Sequence, residues 1–407
     1  MNFLESHNLV ISTLSPVHVG CGEDYEPTNY VIDDKGVLHA FDPALLLARL
    51  AQKQREELLR ALDDRSPILA AQRFFFRHRE TAIEIASHRV PVAPAVARFY
   101  TARIGQVANR EQGGGQVINK LEIARTAFNP ISGLPILPGS SLKGAIRTAI
   151  LEALRANTNR RYPITDQEAA RNNEAARQAK EMERDILGGS FDTDPMRLVK
   201  IADAAFVPGS YKARNAGGEE IQRERQPRII LFQVNRKKRP NQFATSGNIE
   251  TLVECIPAGQ PRAFTGQLLI ERKAKKGERT PRLQLDFATI ARACNDFYGR
   301  RFEAELAILE TNQYVSPAWA QNARNRLLPT GVWGKPIAEG RGFLLRVGRH
   351  SGAESVTIDA PRKIKILKGK ERPPEWSSEA TTLWLAANEP DATGGMWPFG
   401  WIFVQSV

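Results

Sequence analysis

The most informative segment of this 407-residue chain is Pro138-Gly139-Ser140-Ser141-Leu142-Lys143-Gly144-Ala145-Ile146-Arg147-Thr148. It starts an apolar pattern with helical spacing, so we expect a helix to begin at the glycine and serines. The first turn of a helix has free backbone N–H groups and the positive end of the helix dipole. Lys143 and Arg147 are four residues apart and share one helix face. The segment therefore predicts a phosphate-backbone site in which Gly139, Ser140 and Ser141 supply amides and hydroxyls.

Two other interpretations of this segment compete with the phosphate site. A P-loop places its lysine directly after the second glycine, whereas Lys143 precedes Gly144, so a P-loop is excluded. A capped amphipathic helix whose Lys143 and Arg147 face water fits the same residues. The sequence leaves the phosphate site and the solvated helix face open.

A glycine turn follows the first predicted strand. The segment is Ser15-Pro16-Val17-His18-Val19-Gly20-Cys21-Gly22. A histidine beside such a turn can contact RNA or act as an acid or base, so His18, Gly20 and Gly22 are candidate RNA-binding residues. A histidine at the end of a strand can equally be structural, and the sequence leaves that alternative open.

Two further glycine turns lie in the C-terminal part of the chain. The first is Arg346-Val347-Gly348-Arg349-His350-Ser351-Gly352. Arg349 and His350 are candidate RNA contacts there, although a tight turn would by itself explain the glycines. The second is Met396-Trp397-Pro398-Phe399-Gly400-Trp401. Its aromatic residues fit the closure of an apolar core better than a platform for base stacking.

Positive charge is unevenly distributed along the chain. The sequence has 57 Lys and Arg against 45 Asp and Glu, a formal net charge of +12. Segments 210–240 and 341–372 each contain nine basic and three acidic residues, and 271–282 contains six and two. Such clustering favours a polyanionic partner, here nucleic acid, although a basic run can also be a solvated face. The densest run is Arg236-Lys237-Lys238-Arg239, whose four residues are candidate RNA contacts.

Composition excludes several classes of protein. Hydrophobic residues make up 42% and charged residues 25% of the chain, which is ordinary globular usage rather than that of a disordered protein. No apolar run is long enough to span a bilayer. The sequence also lacks a basic amphipathic helix of the kind that binds a membrane surface. The three cysteines (Cys21, Cys255 and Cys294) form no CxxC pair, and no HExxH motif occurs. We therefore expect no metal site, no cofactor and no disulfide, and the first residues predict no signal peptide, so the expected location is the cytoplasm.

Short strands alternate with helices and long loops, which is typical of an α+β fold. Strands are expected at 7–19, 30–32, 37–41, 198–206, 228–234, 249–256, 264–270, 343–347, 355–358, 363–367 and 401–404. Helices are expected at 42–50, 54–62, 67–80, 139–156, 165–187 and 283–310.

The same pattern predicts two parts. Residues 1–270 are expected to form a core with helical insertions at about 44–100 and 165–187 and a basic excursion at 210–247. Residues 271–407 are expected to complete the fold with helices, strands and a glycine loop at 348–352.

Three of these motifs together resemble the RAMP superfamily of CRISPR-associated proteins. They are the glycine turn at 15–22, the segment at 137–147 and Pro398-Phe399-Gly400-Trp401. The length and the order of the motifs are most similar to the Csm-type head subunit of the type III-A effector complex. Ile186–Phe191 and Val199–Asp203 also fit this pattern.

The resemblance implies a ferredoxin-like, RRM-type core with helical and loop insertions, and it allows a second, smaller ferredoxin-like part. It implies a non-catalytic RNA-binding subunit that caps the 3′ portion of the guide crRNA and assists its maturation in antiviral defence. The implied partners are the crRNA, target RNA, sibling Csm backbone and small subunits, and host trimming nucleases, with no membrane. In the backbone subunits a thumb-like hairpin crosses the guide, and we expect Arg236, Lys237, Lys238 and Arg239 to lie against RNA in the same way.

In the backbone subunits of this superfamily, an aspartate after the glycine turn cuts target RNA. This chain has Asn29 near that place, with the carboxylates of Asp24, Asp33 and Asp34 close by in sequence. An amide does not orient a magnesium ion as a carboxylate does, so Asn29 favours binding over cleavage.

Two alternative functions remain open within the superfamily. One is an endoribonuclease that processes guide RNA with His18 or His350 as its acid or base. The other is a backbone subunit that cleaves the target.

Overall fold

The computed structural model describes residues 3–63, 66–110, 116–118, 120–156, 165–170, 172–188, 190–214, 218–239, 251–272, 281, 283–359, 362–366 and 374–407. Within them the strands are β1 (Leu4–Thr13), β2 (Gly20–Tyr25), β3 (Tyr30–Ile32), β4 (Val37–Ala40), β5 (His88–Pro91), β6 (Val107–Arg110), β7 (Gln116–Ile118), β8 (Ile123–Thr126), β9 (Ile136–Leu137), β10 (Val199–Ile201), β11 (Ala204–Phe206), β12 (Ser210–Arg214), β13 (Glu220–Glu224), β14 (Ile229–Lys237), β15 (Thr251–Cys255), β16 (Phe264–Glu271), β17 (Gly342–Arg346), β18 (Ile364–Ile366), β19 (Glu375–Ser377), β20 (Thr382–Ala387), β21 (Trp397–Pro398) and β22 (Trp401–Ser406). The helices are α1 (Pro43–Arg49), α2 (Gln52–Leu62), α3 (Pro67–Arg77), α4 (Arg79–Glu84), α5 (Pro94–Arg103), α6 (Gly139–Ala156), α7 (Asp166–Ala170), α8 (Asn172–Ile186), α9 (Phe287–Thr311), α10 (Pro317–Leu327), α11 (Gly334–Ala338) and α12 (Ala353–Val356).

The main sheet has the strand order β17-β22-β1-β16-β11-β9, and β10 also pairs with β16. β1 is antiparallel to both of its neighbours, with Ile11 opposite Phe264 of β16 and Val404 of β22. The second half of β1 is buried on both faces, which explains why its apolar run does not alternate. Strands from both sides of residue 270 thus lie next to each other in one sheet.

Helices α6 and α9 pack against each other beside this sheet, α6 next to β10 and α9 next to β17. α9 begins at its N-cap residue Asp286, whose side chain accepts a hydrogen bond from the Thr289 amide. Its buried side includes Ile290, Cys294 and Phe297. The sequence prediction of a helix in this region is confirmed.

A second sheet has the order β2-β8-β15-β14-β20-β21. Its β8–β15 pair is parallel and the other pairs are antiparallel. Buried side chains of both sheets, such as Ile11 of β1 and Phe232 of β14, belong to one continuous apolar cluster. The motif at 15–22 therefore connects two sheets that share a core.

The helical insertion has its own small core. Helices α1 to α4 enclose Val31, Phe41, Leu46 and Phe74 beside the β3-β4-β5 sheet. Asp42 caps α1 by accepting a hydrogen bond from the Ala44 amide, as the Asp-Pro pair predicts.

Several predicted elements differ from the structure. The strand expected at 355–358 is wrong, because residues Ala353–Val356 form the short helix α12 after Gly352, which has a φ of +76°. Ser355 there accepts a hydrogen bond from Arg346 and does not pair with a strand. The sequence also did not predict α10 or β20, which lie between strongly patterned segments.

The expected basic excursion at 210–247 needs a similar correction. Strands β12 and β13 form a separate two-stranded hairpin, whereas β14 is an interior strand of the second sheet, between β15 and β20. The apolar alternation of Ile230, Phe232 and Val234 places β14 in the core despite the cations that follow it. Residues 240–247 lie outside the described part of the chain, as do 111–115 and most of 271–282.

Within the described ranges, no helix has the length and apolar character needed to cross a bilayer.

Candidate nucleic-acid interface

Three of the predicted motifs meet at one cleft of about 680 Å³. Gly20 and Gly22 line it from β2, Ser141 lines it from the start of α6, and Arg349 lines it from the loop after β17. Thr148, Ser351 and Ser355 also line it, together with apolar side chains such as Val19, Ala145 and Val356. Of the described residues that line this cleft none is acidic, while Arg346 and Arg349 are basic. We call this the glycine cleft.

The glycine loop at 348–352 is attached directly to the His18 motif. The Arg349 amide donates a hydrogen bond to the His18 carbonyl at 2.9 Å. Gly348 has a φ of +84°, and a Cβ at this position would lie 2.3 Å from the same carbonyl oxygen. Only glycine permits this approach, so the two motifs are held in contact and Arg349 is left exposed at the cleft.

His18 lies beneath the cleft and is fully buried. Its Nδ1 lies 2.7 Å from the Glu254 carbonyl, which fixes Nδ1 as the donor and leaves Nε2 as an unprotonated acceptor. Burial lowers the pKa of His18, so the ring is neutral at pH 7. Because its Nε2 is buried without a hydrogen-bond partner, His18 cannot reach a ribose hydroxyl in this conformation. The contacts favour the structural interpretation of His18.

His350 stacks near His18, with ring centroids 6.3 Å apart. Burial, the neighbouring His18 and Arg349 lower the pKa of His350 to about 4. The ring also packs near Phe399 and Trp384, at 5.2 Å and 5.7 Å between centroids. A neutral, partly buried imidazole adds no charge for a phosphate at neutral pH.

We expect stability to decrease on acidification through His350. Its folded pKa lies below the ordinary value of 6.5, so the unfolded chain takes up the proton first as the pH falls. The stability that neutral His350 contributes to the fold is fully present above about pH 6.5 and is lost as the pH falls to about 4. The variant His350→Asn, whose side chain tolerates the positive φ of 68°, should show a smaller loss of thermal stability between about pH 7.5 and pH 4.5. Parallel melting curves for both proteins would contradict this.

The start of α6 differs from the predicted phosphate site. The Gly139 amide donates to Asp203 at 2.7 Å, and the Ser141 and Leu142 amides donate to the Pro138 carbonyl. A Cβ on Gly139 would lie 2.2 Å from the Ile201 carbonyl oxygen, so this glycine allows α6 to approach β10. The carboxylate of Asp203 thus occupies the positive helix end where a phosphate was expected. Ser140 is exposed and Ser141 is half-buried at the cleft.

The two cations of this motif are engaged within the protein. Lys143 Nζ donates to the Val199 carbonyl at 2.8 Å, and burial lowers the pKa of Lys143. Arg147 pairs with Asp194 at 2.7 Å and with Glu183 at 3.1 Å. The acidic partners compensate the Arg147 charge, so its contacts favour a structural role over phosphate binding.

The basic quartet Arg236–Arg239 is held at the end of β14. Arg236 is half-buried and donates to the Ala392 carbonyl at 2.6 Å, and Lys238 pairs with Glu354 at 2.7 Å. Lys237 is half-buried and its carbonyl accepts from Tyr314, whereas Arg239 is exposed. None of the four residues of the quartet lines the glycine cleft.

Two of the residues near the expected catalytic position, Asn29 and Asp33, are engaged in turns, whereas Asp24 and Asp34 are exposed. Asn29 accepts a hydrogen bond from the Glu26 amide at 3.0 Å. Asp33 accepts from the Lys35 and Val37 amides and from His39 Nε2, and these hydrogen bonds lower its pKa. No cluster of three His, Cys, Asp or Glu side chains suited to a metal ion occurs in the described ranges.

Sequence reasoning missed a buried polar network under the cleft. Glu254 is fully buried, accepts from the Tyr25 hydroxyl at 2.8 Å and from the Thr126 amide at 2.9 Å, and lies 3.4 Å from Arg228. Burial raises the pKa of Glu254. The signal for it was a lone glutamate at an inward position of the apolar strand β15.

A second missed network joins the cleft to α9. Arg346 pairs with Glu305 at 2.8 Å, and Glu305 also accepts from Trp401 Nε1 at 2.8 Å. Arg346 donates further to the Phe399 carbonyl at 2.9 Å. The aromatic motif at 396–401 is thus part of the core beside the cleft, as the sequence favoured.

Comparison with known proteins gives a matching family model, curated relatives of similar sequence and solved structures of similar fold. The RAMP superfamily model matches residues 10–311. A Methanocaldococcus jannaschii protein described as CRISPR system Cms protein Csm5 is 27% identical over 202 residues, which are 49% of this chain and 43% of that protein. A Streptococcus thermophilus protein with the same description is 26% identical over 151 residues, 37% of this chain and 39% of that protein. The alignments therefore span less than half the length of these curated relatives.

Two solved structures have a similar fold over the whole chain. One belongs to a type III-A Csm-crRNA-target RNA ternary complex studied by cryo-EM; its TM-score is 0.59 at 16% identity, and the match covers 98% of this chain and 100% of that one. The other is the crystal structure of T. onnurineus Csm5, with a TM-score of 0.54 at 16% identity, covering 97% and 99%.

Proposed function

Because the chain belongs to the RAMP superfamily, we propose that it is a non-catalytic RNA-binding subunit of a type III-A CRISPR Csm complex. In this proposal it caps the 3′ portion of the guide crRNA and assists its maturation in antiviral defence. Its partners are the crRNA, target RNA, sibling Csm backbone and small subunits and host trimming nucleases, and it acts in the cytoplasm. The similarity to Csm5 proteins in sequence and fold supports this assignment.

The observation that carries the proposal is the glycine cleft. The exposed Arg349 and the half-buried Ser141 border an opening whose described lining contains no acidic residue, which suits a chain of phosphates rather than a base sequence. Among the predicted RNA contacts, Gly20, Gly22, Ser141 and Arg349 line this opening. We therefore place the guide backbone here.

The strand succession supports the ferredoxin-like part of the proposal. β1, α6, β11, β16, α9 and β22 follow one another along the chain as β-α-β-β-α-β, with insertions between them. Their strands are neighbours in the order β22-β1-β16-β11. β17 adds an edge strand, and the second sheet is the candidate for the second, smaller part.

The non-catalytic part of the proposal is supported by the contacts of three candidate catalytic groups. The Asn29 side chain closes a turn, Asp33 accepts three hydrogen bonds, and the free nitrogen of His18 is buried. None of these groups is available to a phosphodiester in this conformation.

The test is purification of the complex with tagged wild-type chain and with Arg349→Ala. We expect the wild type to bring down sibling subunits and small RNAs. For the isolated protein, Arg349→Ala should reduce the dependence of log K on log salt by about 0.7, the amount for one phosphate contact with a single strand. The exposed Lys335, which does not line the glycine cleft, provides the control Lys335→Ala. Equal salt slopes for wild type and Arg349→Ala would refute the placement of RNA in this cleft.

A further inference from the structure

A second cleft of about 480 Å³ lies between the β12–β13 hairpin and helix α10. It shares no lining residue with the glycine cleft. Tyr211 and Arg223 line it from the hairpin, and Asn322 and Arg326 line it from α10. We call it the hairpin cleft.

Tyr211 and Arg223 are directly opposite each other in the antiparallel hairpin, so their side chains share one face. The guanidinium of Arg225 lies 5.7 Å from the centre of the Tyr211 ring. Arg225 is itself fixed, because it donates to the backbone carbonyls of Pro261 and Ser210. The hairpin therefore presents a positioned aromatic ring next to a cation.

Arg326 supplies the opposite wall and lacks an anionic partner. Its Nε donates to the Asn322 side chain at 2.8 Å, and its guanidinium lies 5.5 Å from the Trp333 ring. It forms no ion pair with any described residue, and burial lowers its pKa. A partly desolvated guanidinium with unused N–H groups is a ready site for an anion.

The charge of the cleft is not compensated from within. Glu220 is the acidic residue among those that line it, and it pairs with Lys212 at 2.7 Å. Arg214, Arg223 and Arg326 line the same opening, and none of them forms an ion pair within the described part of the chain. The cleft is therefore electropositive.

We propose that the hairpin cleft binds single-stranded RNA, with one base stacked on Tyr211 and the adjoining phosphates held by Arg223 and Arg326. The fork of a guanidinium matches two phosphate oxygens, and an aromatic ring next to such forks suits a base better than an acidic peptide. This inference rests on the proposed function and adds a second point of contact for the strand. It also gives the basic hairpin a role that does not involve the quartet at the end of β14.

The test uses the full chain and a fluorescein-labelled oligouridylate of about 12 nucleotides, followed by anisotropy at several salt concentrations. Tyr211→Leu should weaken binding about 5- to 150-fold through loss of stacking, whereas Tyr211→Phe should bind as the wild type does. Arg223→Ala combined with Arg326→Gln should lower the salt slope by about 1.4. The control is Lys335→Gln with Glu339→Gln, an ion pair outside the hairpin cleft, which removes two charges without changing the net charge and should leave binding unchanged.

The outcomes separate this inference from the proposed function. If Tyr211→Leu and the double arginine variant bind like the wild type while Arg349→Ala is impaired, the hairpin cleft is not an RNA site and the glycine cleft remains one. If the wild type itself does not bind the oligonucleotide, both proposals fail. If polyglutamate displaces the RNA as well as unlabelled oligouridylate does, the cleft is a general anion site and the inference is wrong. Circular dichroism of each variant checks that the fold is retained.

Discussion

Replacing Arg346 with methionine should lower the free energy of unfolding by about 3–5 kcal/mol, because it leaves a buried carboxylate without its partner. The side chains of Arg346 and Glu305 are 5% and 8% exposed, so water cannot replace the lost contact. The Phe399 carbonyl would also lose its donor. Urea denaturation of the two proteins under identical conditions measures this difference.

Two controls make the Arg346 prediction specific. Arg346→Met combined with Glu305→Gln removes the orphaned charge but keeps an acceptor for Trp401 Nε1, so it should recover most of the loss. Arg98→Met breaks the exposed pair with Glu389, whose side chains are 67% and 56% exposed, and should cost less than about 1 kcal/mol. If Arg346→Met lowers the free energy of unfolding as little as Arg98→Met does, the buried Arg346–Glu305 pair does not stabilise the fold and the prediction is wrong.

Replacing Gly348 with alanine should both destabilise the protein and weaken RNA binding. The added Cβ would lie 2.3 Å from the His18 carbonyl oxygen, and the φ of +84° disfavours any side chain. Strain and overlap together should cost about 2–4 kcal/mol. The overlap would also push the loop away from His18, which displaces Arg349 from the glycine cleft. We therefore expect the salt slope of RNA binding to fall by the amount predicted for Arg349→Ala.

Gly395→Ala is the matched control for the Gly348 prediction. Gly395 has a φ of +68°, but a Cβ there would meet no atom within 4 Å. It should cost only the backbone strain of about 1 kcal/mol and leave RNA binding unchanged. If Gly395→Ala and Gly348→Ala are equally destabilised, the close approach to His18 contributes nothing.

The sequence predicted those elements whose patterns are strong and local. The helices over residues 139–156 and 283–310 and the strands near 264–270 and 401–404 are present, because apolar periodicity alone distinguishes them. The short helix at Ala353–Val356 was mistaken for a strand, since four residues carry too little periodicity to separate the two. The β12–β13 hairpin was hidden by its charges, because most of its residues are exposed.

The glycine cleft could be predicted only as separate motifs. Glycine turns at 20–22 and 348–352 were visible in the sequence, but their contact depends on a hydrogen bond between His18 and Arg349. The sequence predicts that Arg147 contacts phosphate, but in the structure it pairs with Asp194 and Glu183. These residues are 47 and 36 positions away along the chain. Partners at such separations are set by the fold, so local spacing cannot show whether a cation is free.

The position of β1 has a consequence for synthesis. Its two neighbours in the main sheet are β16, which starts at Phe264, and β22, which ends at Ser406. At ribosomal rates, roughly 20 to 80 s separate the emergence of β1 from that of β22. During that interval an apolar strand has an unpaired edge, and such edges recruit other chains. We therefore expect nascent chains arrested before Trp401 to associate with chaperones or aggregate, and folding to be slow for a protein of this size because its contacts are so distant in sequence.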